Sequence, residues 1–212
     1  MAAGDRSQAL VVSIRRFLNE PVEGSVLTAD LYRYLTEAQM ALAVDMDDAA
    51  LGALYQQSLV SITLDQEPFI LPANFLREQM VIWVNIPAIR WPVWHQWQPG
   101  FGASAPPSMA CPYWYIWNGY YQVLAGLRAA GAVRLNYLQV PVDVTAAVDP
   151  TLGTEFDDLM VWMAGSRACE SVGDFETAAL LTELYDGAVA EWNGRYSGRP
   201  PVDTIPGDTG GR

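Results

Sequence analysis

Apolar residues recur at three- and four-residue steps near both ends of this chain and at two-residue steps in the middle. Leu10, Val11, Ile14, Phe17 and Leu18 predict a helix over 6–19, which Pro21 and Gly24 end. Thr28 stands where an N-cap belongs, and Leu27 and Tyr32 are placed for a hydrophobic staple. Leu31, Leu35, Ala38 and Leu42 then form the buried stripe of a second helix over 28–44. From Gln57 the period becomes two: Val60, Ile62 and Leu64 face one way, Ser61 and Thr63 the other, as in a half-exposed strand. A turn region runs from Glu67-Pro68 to Leu71-Pro72, and residues 80–84, apolar on both faces, predict a central or interface strand.

Asn118-Gly119 between Tyr113-Trp114-Tyr115-Ile116-Trp117 and Tyr120-Tyr121-Gln122-Val123-Leu124 predicts a two-residue hairpin, because Asn and Gly tolerate the positive φ of a type I′ turn. Val133, Leu135 and Tyr137 alternate with Arg134 and Asn136 in one more strand, and 141–153 is a turn-rich lead into two helices over 154–172 and 174–192, split at Gly173-Asp174. Glu155, Asp157 and Asp158 fall in the first turn of the former, where negative charge offsets the helix dipole. The fold class predicted is therefore α+β: a mainly helical bundle in a domain over 1–192, with an inserted small antiparallel β region over about 57–140. Residues 193–212, rich in Gly and Pro, cannot bury enough surface to order themselves and are expected to be an extended C-terminal tail.

Charge narrows the function. There are 24 acids against 12 arginines, no lysine, and a formal net charge of −12. That balance argues against a groove that grips nucleic-acid phosphates. Cys111 and Cys169 are too few and too far apart for a metal knuckle or a disulfide framework, so two free thiols in a reducing compartment are expected. The apolar run over 80–94 is broken by Asn85, Pro87, Arg90 and Pro92 and is too short to cross a bilayer. With no signal peptide in evidence, a soluble, intracellular protein with no membrane partner is expected.

The candidate chemistry is thin. His95 is the lone histidine and has no serine or cysteine in motif context, so packing or surface exposure is the expected role and a small hydrolase a remote one. Gly100-Phe101-Gly102 lacks the lysine and helix of a phosphate loop. Asp45, Asp47 and Asp48 start like a calcium loop but lack its Gly and its closing Glu, and read as a helix end. No catalytic residue, cofactor or metal is expected. The aromatic cluster carries more weight: Trp91, Trp94, Trp97, Trp114, Trp117 and Tyr120 are candidates for the domain core and an interface with a neighbouring subunit. The alternative is a carbohydrate-binding or receptor-associated module built on the same side chains. The Pro- and Gly-rich loop over 98–112 is long enough to be functional or disordered.

In order along the chain, several of these segments resemble the head–tail adaptor (head-completion, or connector) proteins of tailed bacteriophages. The markers are Tyr34-Leu35-Thr36-Glu37-Ala38-Gln39, then Leu71-Pro72-Ala73-Asn74-Phe75-Leu76-Arg77, then Tyr115-Ile116-Trp117-Asn118-Gly119. Leu135-Asn136-Tyr137 ahead of Pro141-Val142-Asp143-Val144-Thr145 continues the series, which closes on Glu155-Phe156 and Gly173-Asp174-Phe175-Glu176. The resemblance implies a structural virion protein at the head–tail interface, assembled in the host cytoplasm. It implies a ring, commonly of twelve copies, that binds the portal, extends the DNA channel without specific DNA binding, and seats a downstream tail or stopper protein. It also implies that the tail segment docks on the portal, with Trp192, Arg195, Tyr196, Arg199, Val202 and Ile205 as the residues carried over. The chain departs from the pattern in its tryptophan-rich 91–117 segment, which leaves the downstream partner open.

Overall fold

Helix α1 (Asp5–Phe17) starts at Gly4, which has φ of 87° and no capping side chain of its own. The cap comes from far along the sequence: Asp149 accepts from the Ser7 backbone N–H at 2.8 Å and from that of Gly4 at 3.2 Å. It thereby satisfies donors that a helix start leaves unpaired. This pairing belongs to the first of two compact units in the computed structural model, Met1–Leu54 with Val140–Arg212; the second is Tyr55–Gln139. The structure describes residues 4–20, 24–62, 69–83, 86–87, 89–90, 113–117, 120–124 and 131–196.

In the first unit, α2 (Thr28–Asp45) buries Leu31, Leu35, Ala38 and Leu42 completely, as their spacing predicts. Thr28 is not its N-cap. Leu27 holds that position, and the Thr28 hydroxyl instead accepts at 2.8 Å from the buried Arg15 guanidinium, which ties α1 to the start of α2. A 3-10 turn (Thr154–Phe156) leads into α3 (Asp157–Ser171), and α4 (Phe175–Tyr196) follows. Helix α3 packs against the other three. Its Gly165 is where α1 and α4 come close: a Cβ there would lie 3.1 Å from Phe17 of α1 and 3.2 Å from Leu181 of α4. The break between α3 and α4 falls at Gly173-Asp174, where Gly173 has φ of 83° and Asp174 caps α4 by accepting from the Thr177 N–H at 3.1 Å.

The return segment over 140–157 buries Val144, Leu152 and Phe156, and polar contacts also hold it to this bundle. Arg6, only 11% exposed, uses all its N–H donors on it: Asp157 Oδ1 at 2.9 and 2.5 Å, Gly153 O at 2.7 Å, Leu152 O at 2.6 Å and Pro150 O at 3.2 Å. Ser7 donates to Thr145 O at 2.8 Å. From α2, Thr36 accepts from the Val144 N–H at 2.9 Å. The fully buried Gln39 donates to Val142 O and accepts from the Thr151 N–H at 3.0 Å. Asp157 is thus an ion-pair partner as well as a first-turn carboxylate.

The second unit holds two sheets. One has the order β1-β8-β3-β4, from Tyr55–Ile62, Gly131–Gln139, Phe75–Trp83 and Ile86–Pro87; the other runs β2-β7-β6-β5, from Phe69–Ile70, Tyr120–Leu124, Tyr113–Trp117 and Ile89–Arg90. Pairing is antiparallel except between β5 and β6, which run parallel. Residues 80–83 lie in β3, between β8 and β4, as a central strand should. Trp117 faces Tyr120 across β6 and β7, the register a two-residue hairpin demands, while Asn118 and Gly119 themselves lie outside the described residues. In β8 the expected alternation fails at Asn136, which is 4% exposed and accepts from the Gln57 side chain at 3.0 Å. A central strand buries both faces, and a partnered amide can go inside.

The clasp should dominate the stability of the helical unit. Arg6→Met leaves Asp157 and three carbonyls without their donor, and is expected to cost about 3 kcal/mol in urea unfolding. Arg33→Met, which removes only exposed pairs within α2, should leave the midpoint unchanged. At the start of α1, Asp149→Ala should cost about 1 kcal/mol. Gly4→Ala should be worse, since its Cβ would sit 2.1 Å from Ala146 O at a φ that L-residues avoid.

Candidate partner-binding surfaces

The last turns of α4 gather a polar and aromatic set. The Trp192 ring lies 5.2 Å from Phe156 and 6.0 Å from Tyr196, stacked on the latter, and the Arg195 guanidinium lies 5.6 Å from the Trp192 centroid. Arg195 also pairs with Glu191. Next to them Asn193 bridges back to the end of α2, donating to Asp45 O at 2.8 Å and accepting from the Asp47 N–H at 2.7 Å. Residues 193–196 are therefore helix and not the start of a tail: local composition does not register partners 148 residues away. Of the residues predicted to bind the portal, Trp192, Arg195 and Tyr196 come together on this helix end, while Arg199, Val202 and Ile205 lie outside the described residues.

On the second unit, Trp114 and Trp117 lie in β6, and Tyr120, 43% exposed, opens β7. Trp91, Trp94, Trp97 and His95, with Gly100, Phe101, Gly102, Cys111 and the 98–112 loop, lie outside the described residues.

A third surface escaped the sequence reading. Helix α4 turns Ala178, Leu181, Tyr185 and Val189 inward, yet it leaves Phe175 70%, Leu180 57% and Leu184 44% exposed. The signal was the adjacent apolar pairs Leu180-Leu181 and Leu184-Tyr185, which no single helix face can bury.

The acids that invite a chemical reading are occupied by the fold. Asp45 accepts from the Tyr185 hydroxyl at 2.9 Å; burial, with that carboxylate, pushes the Tyr185 phenol well up. Asp47 accepts from the Ala49 N–H at 2.9 Å as the cap of a 3-10 turn (Asp48–Ala50). The bonds from Thr177 hold the Asp174 carboxyl below its usual range. Burial raises the Cys169 thiol, away from reactivity. Among the described residues, no three His, Cys, Asp or Glu side chains gather as metal ligands, and no helix is long and apolar enough to cross a membrane.

The helical unit is closed on itself by polar clasps and leaves aromatic and apolar side chains exposed along α4. No individually curated protein matches the chain. The family profile described as SU10 adaptor protein matches residues 7–204, from within α1 to beyond the end of α4. The chain therefore belongs to the SU10 adaptor family of phage head–tail adaptors, structural components of the virion that join head to tail.

Proposed function

We propose that this adaptor forms a ring beneath the portal, attaches to the portal through the segment that leaves α4, extends the DNA channel and seats the next tail protein. The observation that supports docking from the end of α4 is the Trp192–Arg195–Tyr196 cluster, directly ahead of a Gly- and Pro-rich stretch. The helix end is a base, anchored through Asn193 and through Trp192 on Phe156, for a following segment whose Gly- and Pro-rich composition suits wrapping a partner's surface. The acidic balance suits a conduit that DNA must traverse without adhering. No step of this role requires a catalytic residue, a cofactor or a metal. Neighbouring copies would meet in part through the aromatic β6–β7 hairpin, and assembly would take place in the host cytoplasm.

Truncation tests the docking claim, and the structure says where to cut. Removing 193–212 would also remove the Asn193 bridge, so the informative variant ends at Tyr196. Mixed with purified portal and imaged in negative stain, the full chain should decorate the portal with a ring. The variant lacking 197–212 should stay folded by circular dichroism and lose attachment. Undiminished attachment would remove the tail from the portal interface.

A further inference from the structure

We infer that the outer flank of α4 docks a basic, apolar segment of a different protein, which lies along Phe175, Ala179 and Gly187 and is held by Glu183 and Asp186. The inference rests on the adaptor reading, because it requires an assembled particle in which that partner is present.

The surface is shaped for a partner. A groove of about 580 Å³ runs beside Phe175, Ala179, Thr182 and Asp186, bounded by Glu183 and Gly187 and, from α3, by Glu170. Phe175 lines it at 70% exposure, which costs solvation that a surface helix usually avoids. Gly187 is the second sign. It sits in the middle of α4, where glycine costs about 0.5–1 kcal/mol relative to alanine. No steric demand of the described residues requires it, since a Cβ there would meet none of them within 4 Å. A bare backbone on an exposed helix allows another chain to come close.

Charge identifies the occupant. The unit that contains α4 has 21 acids against 8 arginines by sequence, whereas Tyr55–Gln139 has 3 against 4. Five of the six described arginines of this unit, all but Arg16 on α1, are in ion pairs within it: Arg6 with Asp157, Arg15 with Glu20, Arg33 with Asp30 and Glu37, Arg167 with Glu170, Arg195 with Glu191. Glu183 and Asp186 enter no ion pair among the described residues. A second copy would bring either a like-charged helical unit, which is repelled, or a nearly neutral β unit, which leaves the groove acids uncompensated. Arginine or lysine interleaved with apolar side chains satisfies both halves of the surface.

The test is photo-crosslinking in assembled particles, with benzoylphenylalanine in place of the already exposed Phe175. The expected result is a crosslink to a peptide of another virion protein that carries Arg or Lys beside apolar residues. A crosslink to a second copy of this chain, or none in particles that contain it, would overturn the inference and leave the adaptor reading standing. Particles that form without the chain at all would sink both. As a second readout, the double variant Glu183→Lys, Asp186→Lys should keep its circular dichroism spectrum and enter particles at least about tenfold less efficiently. Glu37→Lys, at an exposed position of α2, should enter normally, and equal incorporation of the double variant and this control would count against the proposal.

Discussion

The helical unit depends on how its first helix is held. Helix α1 and the return segment over 140–157 are separated by the whole of the inserted β unit, so no local preference brings them together. Arg6, Ser7 and Asp149 do so with a set of hydrogen bonds that satisfy carbonyls and helix-end donors which would otherwise be stranded. Gln39 and Thr36 fasten the same segment to α2 from the other side. With the segment fixed, Phe156 and α3 can take their place in the core, and α1, α2 and α4 have a common helix to pack on. Removing the clasp would therefore cost more than its own bonds, because the apolar packing presupposes it.

Periodicity carried most of the fold. The stripes Leu10–Val11–Ile14 and Leu31–Leu35–Ala38–Leu42, the Gly173-Asp174 break and the β6–β7 register were all legible, because each is a local pattern with a local physical cause. What was not legible was supplied from a distance. Thr28 has the chemistry of an N-cap but answers to Arg15, Asn136 has the chemistry of an exposed residue but finds Gln57, and Asn193 belongs to a tail-like composition but clamps the end of α2. Arg6 and Asp149 carry no motif at all. Of the candidate site residues, the helix-end set Trp192, Arg195 and Tyr196 comes together, and the exposed flank of α4 was overlooked because its polar residues masked a second apolar face.

The carboxylates illustrate how the fold and the role connect. Asp45, Asp47, Asp149, Asp157 and Asp174 are all consumed by backbone caps, a phenol or an arginine of the same unit. Those left free, with the apolar side chains among them, are surface. A protein of this family works by what it touches, and its charge is distributed accordingly: concentrated on the helical unit and nearly absent from the β unit. That division gives the chain two units of different net charge.

The most direct test of the adaptor role is an electron cryo-microscopy reconstruction of the head–tail junction of the virion. It should show copies of the α1–α4 unit, with the 140–157 segment clasped as described, arranged as a ring between the portal and the first tail component. A junction whose density is filled by other proteins, with this chain elsewhere in the particle, would contradict it.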